Sequence, residues 1–306
     1  MKPFDIVILT DSRYLSPDPT SPYITNVLLE DQIVADELKK LGIKVTRKSW
    51  DDPSFDWSHT KCAIFRATWD YFERYQEFAQ WYDKTAERTI FINSKSLIDW
   101  NIDKHYLNDL NENGINIPDT FIIEPQTKTT LEATINKAKT LYKYTSNDFV
   151  LKPCIAGGAR HTYKFNVSEI DAYEKVFQQL IADEAMMLQE FQTNIVKGGE
   201  ISMMVFNGEF THAVLKIAKP GDFRVQDDYG GTVHEYKPSQ EEIDFAIATV
   251  KASPELPVYA RVDIFKDNNE KWALAELEIF EPELWFRFNP KAAAVLADTI
   301  KNVYFD

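Results

Sequence analysis

The sequence predicts a small parallel α/β domain followed by two α+β units, and three observations carry that expectation. Strand-like and helix-like segments alternate through the first hundred residues. The next block mixes strands and helices around a glycine-containing loop, and from Gly199 the chain turns strand-rich. A length of 306 residues is compatible with two domains, or three that share cores. The expected division is 1–100, 101–188 and 189–306.

The elements follow in order. "DIVILT" is an apolar run suited to a buried first strand, and Ile24 to Leu41 is an amphipathic helix stopping at Gly42. "IKVTRKSW" and "CAIFRAT" read as strands, "EFAQWYDKTA" as a helix and "TIFIN" as a strand. The helix "DKHYLNDLNENG" ends at Gly114. Then come "DTFIIE" (strand), Leu131 to Tyr144 (helix), "DFVLKP" (strand), the loop "IAGGARHT" and "YKFNV" (strand). Ser168 to Glu184 reads as a helix with Ser168 as its N-cap, and "MMLQEF" as a strand. "EISMMVFNGEFTHAVLKIA" carries an Asn207-Gly208 hairpin turn. A helix from about Gln240 to Ala252, a hairpin over Ala260 to Glu278 and a helix from about Pro290 complete the chain.

Composition narrows the function. The net charge is −14, from 48 acids and 34 bases, which argues against a general binder of nucleic acid or anionic membrane. No apolar run approaches the roughly 18 residues of a membrane span. The opening "MKPFDIVILTDSR" reads as a first strand rather than a secretory leader, and two cysteines, Cys62 and Cys154, make no disulfide framework. The expected compartment is a reducing cytoplasm. Neither G-x-G-x-x-G after the first strand nor G-x-x-x-x-G-K-[ST] occurs, so the commonest nucleotide fingerprints do not apply.

Charge in the last hairpin is the most informative feature. With a period of two, Arg261 and Asp263 share one strand face and Glu276 and Glu278 share one face of its partner. Pairing brings three carboxylates together, whose charge something must offset: a metal, an arginine or plain water. Oxygen donors of this kind suit Mg²⁺ held with substrate phosphates. Elsewhere, Lys152 lies five residues before Gly157-Gly158, as in a phosphate-cradling loop or an ordinary glycine turn. Gln189-Glu190-Phe191 ends an apolar strand that could edge an adenine slot or simply finish in solvent. Glu200 could accept from ribose hydroxyls or start an exposed strand. Lys216, Lys219 and Arg224 make the densest basic loop, an anion site or a solvated loop. Arg66 follows an apolar strand at the end where α/β domains gather ligands; it could clamp a carboxylate or pair with Asp70 or Glu73.

Taken in order, Lys104, Lys152, Gly157-Gly158, Gln189-Glu190-Phe191, Glu200, Arg261-Val262-Asp263 and Glu276-Leu277-Glu278 resemble the ATP-grasp ligases over essentially the whole chain. "WNIDKHYL", "VLKP", "HAVLKIAKPGDFRVQ", "YARVDIF" and "AELEIFEP" are similar to the glutathione-synthetase-like and RimK-like branch, and within it to ring-closing ligases of the D-cycloserine type. The resemblance implies an N-terminal pre-ATP-grasp domain and two α+β subdomains enclosing ATP. It also implies that Lys104 and Lys152 meet phosphates, that the Gly157-to-Thr162 loop is a lid, and that Gln189, Glu190 and Phe191 meet adenine and Glu200 the ribose. Asp263, Glu276 and Glu278 would hold one or two Mg²⁺ ions, with Mn²⁺ an alternative. Arg261, with Arg224 or Lys216, would stabilise the transferring phosphoryl group, and Arg66 would face a small amino-acid-like substrate. The family's metal motif usually runs Glu-x-Asn with a glycine soon after; here it is Glu276-Leu277-Glu278 followed by "IFEPEL". The function expected is an ATP- and Mg²⁺-dependent carboxylate–amine ligase working through an acylphosphate. An intramolecular cyclo-ligase and a nucleotide-binding regulator without turnover are the alternatives.

Overall fold

The computed structural model describes residues 2–16, 21–225 and 230–306. Three sheets organise them. The first is wholly parallel: β1 (Phe4–Thr10), helix α1 (Pro22–Lys40), β2 (Val45–Ser49), β3 (Thr60–Phe65), α2 (Tyr75–Ala86) and β4 (Ile90–Ile92), in sheet order β2-β1-β3-β4. β1 is apolar from Ile6 to Leu9 because the sheet is covered on both faces. Helix α1 buries Val27, Val34 and Leu38, and also Glu30 and Asp31, two carboxylates on what should be a core-facing stripe. Gly42 follows in a left-handed conformation (φ +81°), which lets the chain leave the helix without a Cβ clash.

Two short helices, α3 (Lys95–Asn101) and α4 (Tyr106–Glu112), lead into the second sheet. Its elements are β5 (Thr120–Ile123), α5 (Leu131–Tyr142), β6 (Asp148–Pro153), β7 (Tyr163–Asn166), α6 (Ile170–Asp183) and β8 (Met186–Glu190), antiparallel in order β5-β8-β6-β7. Phe149 and Leu151 pack with Leu131, Ile135, Phe177 and Leu188 in its core. Val150 and Lys152, on the other face of β6, are left to look into a cleft. The expected boundary at residue 188 falls inside β8, whose hydrogen bonds run to β5 and β6, so the strand belongs wholly to this sheet. The cap expected at Ser168 lies elsewhere: Asn166 and Glu169 form a reciprocal capping box on a short 3₁₀ turn before α6.

The third sheet is antiparallel, in order β11-β10-β9-β12-β13. It comprises α7 (Thr193–Gly198) as a lead-in, β9 (Glu200–Phe206), β10 (Glu209–Ile217), β11 (Thr232–Tyr236), α8 (Gln240–Lys251), β12 (Tyr259–Lys266), β13 (Trp272–Glu278) and the terminal α9 (Lys291–Tyr304). Asn207 and Gly208 both have positive φ (49° and 81°), the turn that matches strand twist in a tight hairpin. Ile201, Met203, Val205, Val262 and Ile264 face α8, while Glu200, Ser202, Arg261 and Asp263 point to the opposite side. Helix α9 returns to pack on α1, and Leu296 and Ile300 share one core with Ile6, Ile64, Met204 and Phe206. The first and third sheets are thereby welded. No helix among the described residues is long and apolar enough to cross a membrane, and both cysteines are free and buried.

Side chains complete this seam. The Asn93 amide donates to the carbonyls of Tyr259 (2.9 Å) and Ile279 (2.8 Å) and accepts from the Val258 N–H at 2.5 Å. Asn101 and Tyr106 similarly bind the backbone of Leu277 and Ile279. Asn93→Ala strands three buried backbone groups at once, so a loss of about 3 kcal/mol or more is expected. A denaturant midpoint indistinguishable from the parent would show that this amide does not hold the two sheets together.

Candidate active site

A cleft of about 630 Å³ opens where the three sheets meet. Its floor is the polar face of the third sheet. In the β12–β13 register Arg261 lies opposite Glu278 and Asp263 opposite Glu276, so all four side chains share that face. A bulge follows at Asp263/Ile264, and it turns Ala275 to the cleft beside Glu276. Strict alternation from Glu276 and Glu278 would put Ala275 on the opposite face.

The carboxylates are compensated from within. Arg261 grips Asp263 through Nε and Nη2 (2.8–3.2 Å) and also donates to Glu278. Lys216 bridges Asp263 (3.1 Å) and Glu200 (2.5 Å), and the Ser202 hydroxyl donates to Asp263 at 2.6 Å. Lys104, at the start of the α4 region, pairs with Glu276 at 3.0 Å and donates to the Ala156 carbonyl at 2.9 Å. Lys152 lines the cleft from β6 and makes no ion pair among the described residues. Burial opposes ionisation everywhere here, yet Arg261 and Lys216 hold Asp263 well below the usual carboxylate range. Burial, reinforced by Glu276 and Asp263, pushes Glu278 up to about 8 against the pull of Arg261. Burial also lowers Lys152, with Glu276 resisting.

The rest of the cleft is partitioned by chemistry. Phe191 and Phe223 meet edge to face (centroids 5.9 Å) at an apolar end that includes Val150, Pro118 and Ile195. Gln189 and Glu190 line the same end; Gln189 donates to the Thr120 hydroxyl (2.7 Å), and Glu190 accepts from the Ser146 N–H (2.6 Å). Glu200, the ribose contact implied by the resemblance, lines the cleft and pairs with Lys216. The loop after β6 carries Gly157, Gly158 and Thr162 along one wall, with Gly158 at φ +55°. It leans on the first sheet: a Cβ at Gly157 would come within 2.6 Å of the Phe72 ring. Arg224 lines the cleft and is held by Asp222 (2.8 Å); the residues after Val225, up to Gly230, lie outside those described.

Arg66 is the residue the structure places differently. It is buried beneath the cleft rather than lining it, donating to the Pro282 carbonyl (2.8 Å) and lying 3.7 Å from both Glu30 and Asp31. Neither sequence candidate for its partner is used, since Asp70 binds Trp50 and Arg74. The first sheet instead offers Arg13, Tyr14, Trp69 and Tyr71 to the cleft. Arg13 follows β1 as Arg66 follows β3, so the same strand-end rule was available for it.

An all-oxygen set of carboxylates beside lysines and an arginine fits a hard divalent ion shared with phosphates. Asp263 is enclosed by its partners (side chain 3% exposed), whereas Glu276 and Glu278 (34% and 23%) retain accessible oxygens. Among the described residues, the only three His, Cys or acidic side chains whose ligand atoms converge within 4.8 Å are Asp103, His105 and Cys154, which flank Lys104 and Lys152 in sequence.

Residues 104–279 match the RimK-like ATP-grasp domain family. The chain belongs to that family. It is an ATP-grasp ligase, of the enzyme class that forms carbon–nitrogen bonds while converting ATP to ADP. Residues 6–93 match the N-terminal domain of D-cycloserine synthetase DcsG. The cycloserine biosynthesis protein DcsG of Streptomyces lavendulae is 24% identical over 277 residues, covering 86% of this chain and 89% of that protein. The crystal structure of D-cycloserine synthetase DcsG superposes with a TM-score of 0.82 at 23% identity, over 97% of this chain and 98% of that one. D-alanine–D-alanine ligase from Bacillus anthracis, complexed with ATP, gives 0.64 at 14% identity over 98% and 97%. The ATP-grasp ligase PsnB, complexed with a minimal precursor, Mg and ADP, gives 0.61 at 14% over 97% and 98%. These likenesses bear out the fold expected from the motifs.

Removing Arg66 would leave Glu30 and Asp31 buried with less compensation, a change that costs about 3–5 kcal/mol when one partner of a buried pair is lost. Arg66→Met should therefore lower the melting temperature by several degrees while leaving the ATP affinity of the surviving folded enzyme near that of the parent. A raised substrate KM at unchanged melting temperature would return Arg66 to the substrate site.

Proposed function

We propose that this ATP-grasp ligase activates the carboxylate of a small amino-acid-like substrate as an acylphosphate, which an amine then attacks. One observation carries the reading: Lys104, Lys152, Lys216 and Arg261 converge with Asp263, Glu276 and Glu278 on a single cleft between two antiparallel sheets. ATP lies with its base at the Phe191–Phe223 end and its phosphates at this charged pole. Lys152, lacking a carboxylate of its own, and Lys104 neutralise phosphate charge, and the Gly157–Thr162 loop covers it. Mg²⁺ held by Glu276 and Glu278, with Asp263 behind them, would neutralise charge on the β- and γ-phosphates.

The bond changes need no nucleophilic side chain. A substrate carboxylate oxygen attacks the γ-phosphorus and the bond to the ADP oxygen breaks. The amine nitrogen then attacks the acyl carbon, the carbon–oxygen bond to phosphate breaks, and the nitrogen loses a proton. Arg261 lies where negative charge accumulates in both steps; Arg224 can approach from the opposite wall. Positioning and charge neutralisation supply the acceleration.

A ring-closing variant, in which the amine belongs to the same molecule, is favoured by the match of residues 6–93 to the DcsG N-terminal domain. Product mass separates the two: a cyclised product is one substrate minus water, and a ligated product is the sum of two substrates minus water.

The test is ADP release driven by small carboxylic acids and amines. Release that depends on such a substrate is expected, and none with any acid–amine pair would contradict the ligase reading. Glu276→Gln keeps the side-chain shape but removes a charge facing the metal and Lys104. Turnover should fall by about 100-fold or more with circular dichroism unchanged. Near-parental turnover at saturating Mg²⁺ would remove Glu276 from the site.

A further inference from the structure

The segment after β13 carries a cleft carboxylate that the phosphate pole does not use. Glu281 lines the cleft, and its backbone is fixed there: its carbonyl accepts from the Trp69 indole N–H (3.0 Å), and the next carbonyl, Pro282, accepts from Arg66 (2.8 Å). Both tethers come from the first sheet, so the third sheet's trailing loop and the N-terminal wall hold Glu281 jointly. Of the cleft acids along this stretch, Glu276 has Lys104, Glu278 has Arg261 and Glu283 has Arg287. Glu281 has no ion pair among the described residues. Tyr71, Trp69 and Trp285 line the same cleft, and the Trp69 indole reaches the Glu281 backbone directly.

We propose that Glu281 anchors the α-ammonium group of the substrate whose carboxylate is activated, so that the site takes α-amino acids in preference to simple carboxylic acids. This rests on the ligase reading of the cleft. An aromatic surround with one unpaired anion is a cation site: the carboxylate supplies the charge, and ring faces add cation–π attraction without competing for hydrogen bonds. Burial, with Glu276 adding to it, pushes the Glu281 carboxyl up to about 7. Lys104 and Arg261 are near enough to pull in the other direction. That proximity identifies which substrate is read. In an α-amino acid a single carbon separates ammonium from carboxylate, so a cation on Glu281 delivers the carboxylate to the Lys104–Arg261 pole where phosphoryl transfer occurs. An attacking amine must be uncharged and would gain little from an anionic anchor. Glu281 is therefore assigned to the acid rather than to the nucleophile.

The test compares matched ligands on the full-length chain with Mg²⁺ and a non-hydrolysable ATP analogue. A panel of D- and L-α-amino acids is titrated beside desamino counterparts, for example alanine with propanoate and serine with 3-hydroxypropanoate, and binding is read by thermal shift. The parent should prefer one or more amino acids over the desamino partner by about 10-fold or more, as loss of a charge-assisted hydrogen bond implies. Glu281→Gln should abolish that preference, and Glu281→Asp should keep part of it. Should Glu281→Gln fail to fold, the parent's preference and its reduction in Glu281→Asp decide. Equal binding of both ligand types by the parent, an undiminished preference in Glu281→Gln, or no binding by any amino acid in the panel would overturn the assignment. Hydroxylamine trapping with ATP tests the underlying reading separately, because an acylphosphate is converted to a hydroxamate with release of phosphate. Amino-acid preference without hydroxamate would support the anchor and contradict carboxylate activation; hydroxamate with no amino-acid preference would do the reverse.

Discussion

The buried pair of Arg261 and Asp263 sets the terms for the rest of the molecule. Two charges removed from water are tolerable only when their remaining donors and acceptors are filled, and removal of one partner is expensive. Here neighbouring strands fill them: β9 supplies Ser202 and Glu200, β10 supplies Lys216, and β13 supplies Glu278. A one-residue slip of β12 would send these charges into the apolar layer beneath α8 and bring Val262 and Ile264 into the cleft. Register and site electrostatics are thus a single constraint, and the core that favours the fold also fixes the geometry of the charged floor.

That floor is close to neutral before any ligand arrives. Lys104 answers Glu276, Arg261 answers Asp263 and Glu278, and Lys216 answers Asp263 and Glu200. Phosphates entering such a site must draw the cations away from their carboxylates, and each released carboxylate then requires a new positive partner. A divalent ion would supply it. The arrangement would therefore couple nucleotide to metal, each relieving the uncompensated charge that the other creates. Under that proposal Lys152, which has no carboxylate partner among the described residues, would be the first contact for phosphate.

Much of this was legible because it follows from period and turn chemistry. The hairpin Ala260 to Glu278 could be read from alternation, and the observed register pairs Arg261 with Glu278 and Asp263 with Glu276. Gly42, Gly114 and Asn207-Gly208 end or reverse elements where left-handed backbone was required. The misreadings arose where a residue's partner is distant in sequence. Arg66 looked like a ligand contact because nothing local reveals that Glu30 and Asp31 of α1 turn inward to meet it. Glu281 lies within the segment "AELEIFEP", but its spacing alone gave it no role; its place depends on Trp69, more than two hundred residues earlier in the chain. The Ala275 bulge likewise breaks strict alternation in a way that only the paired strand reveals.

The coupling of metal to nucleotide is most directly measured by calorimetric titration of Mg²⁺ into the full-length protein, with and without a non-hydrolysable ATP analogue. A floor whose carboxylates are already held by arginine and lysine should give no saturable Mg²⁺ binding alone, strong binding with the analogue, and markedly weaker analogue binding when Mg²⁺ is chelated. Tight Mg²⁺ binding to the protein by itself, or analogue binding indifferent to the metal, would contradict a self-compensated site.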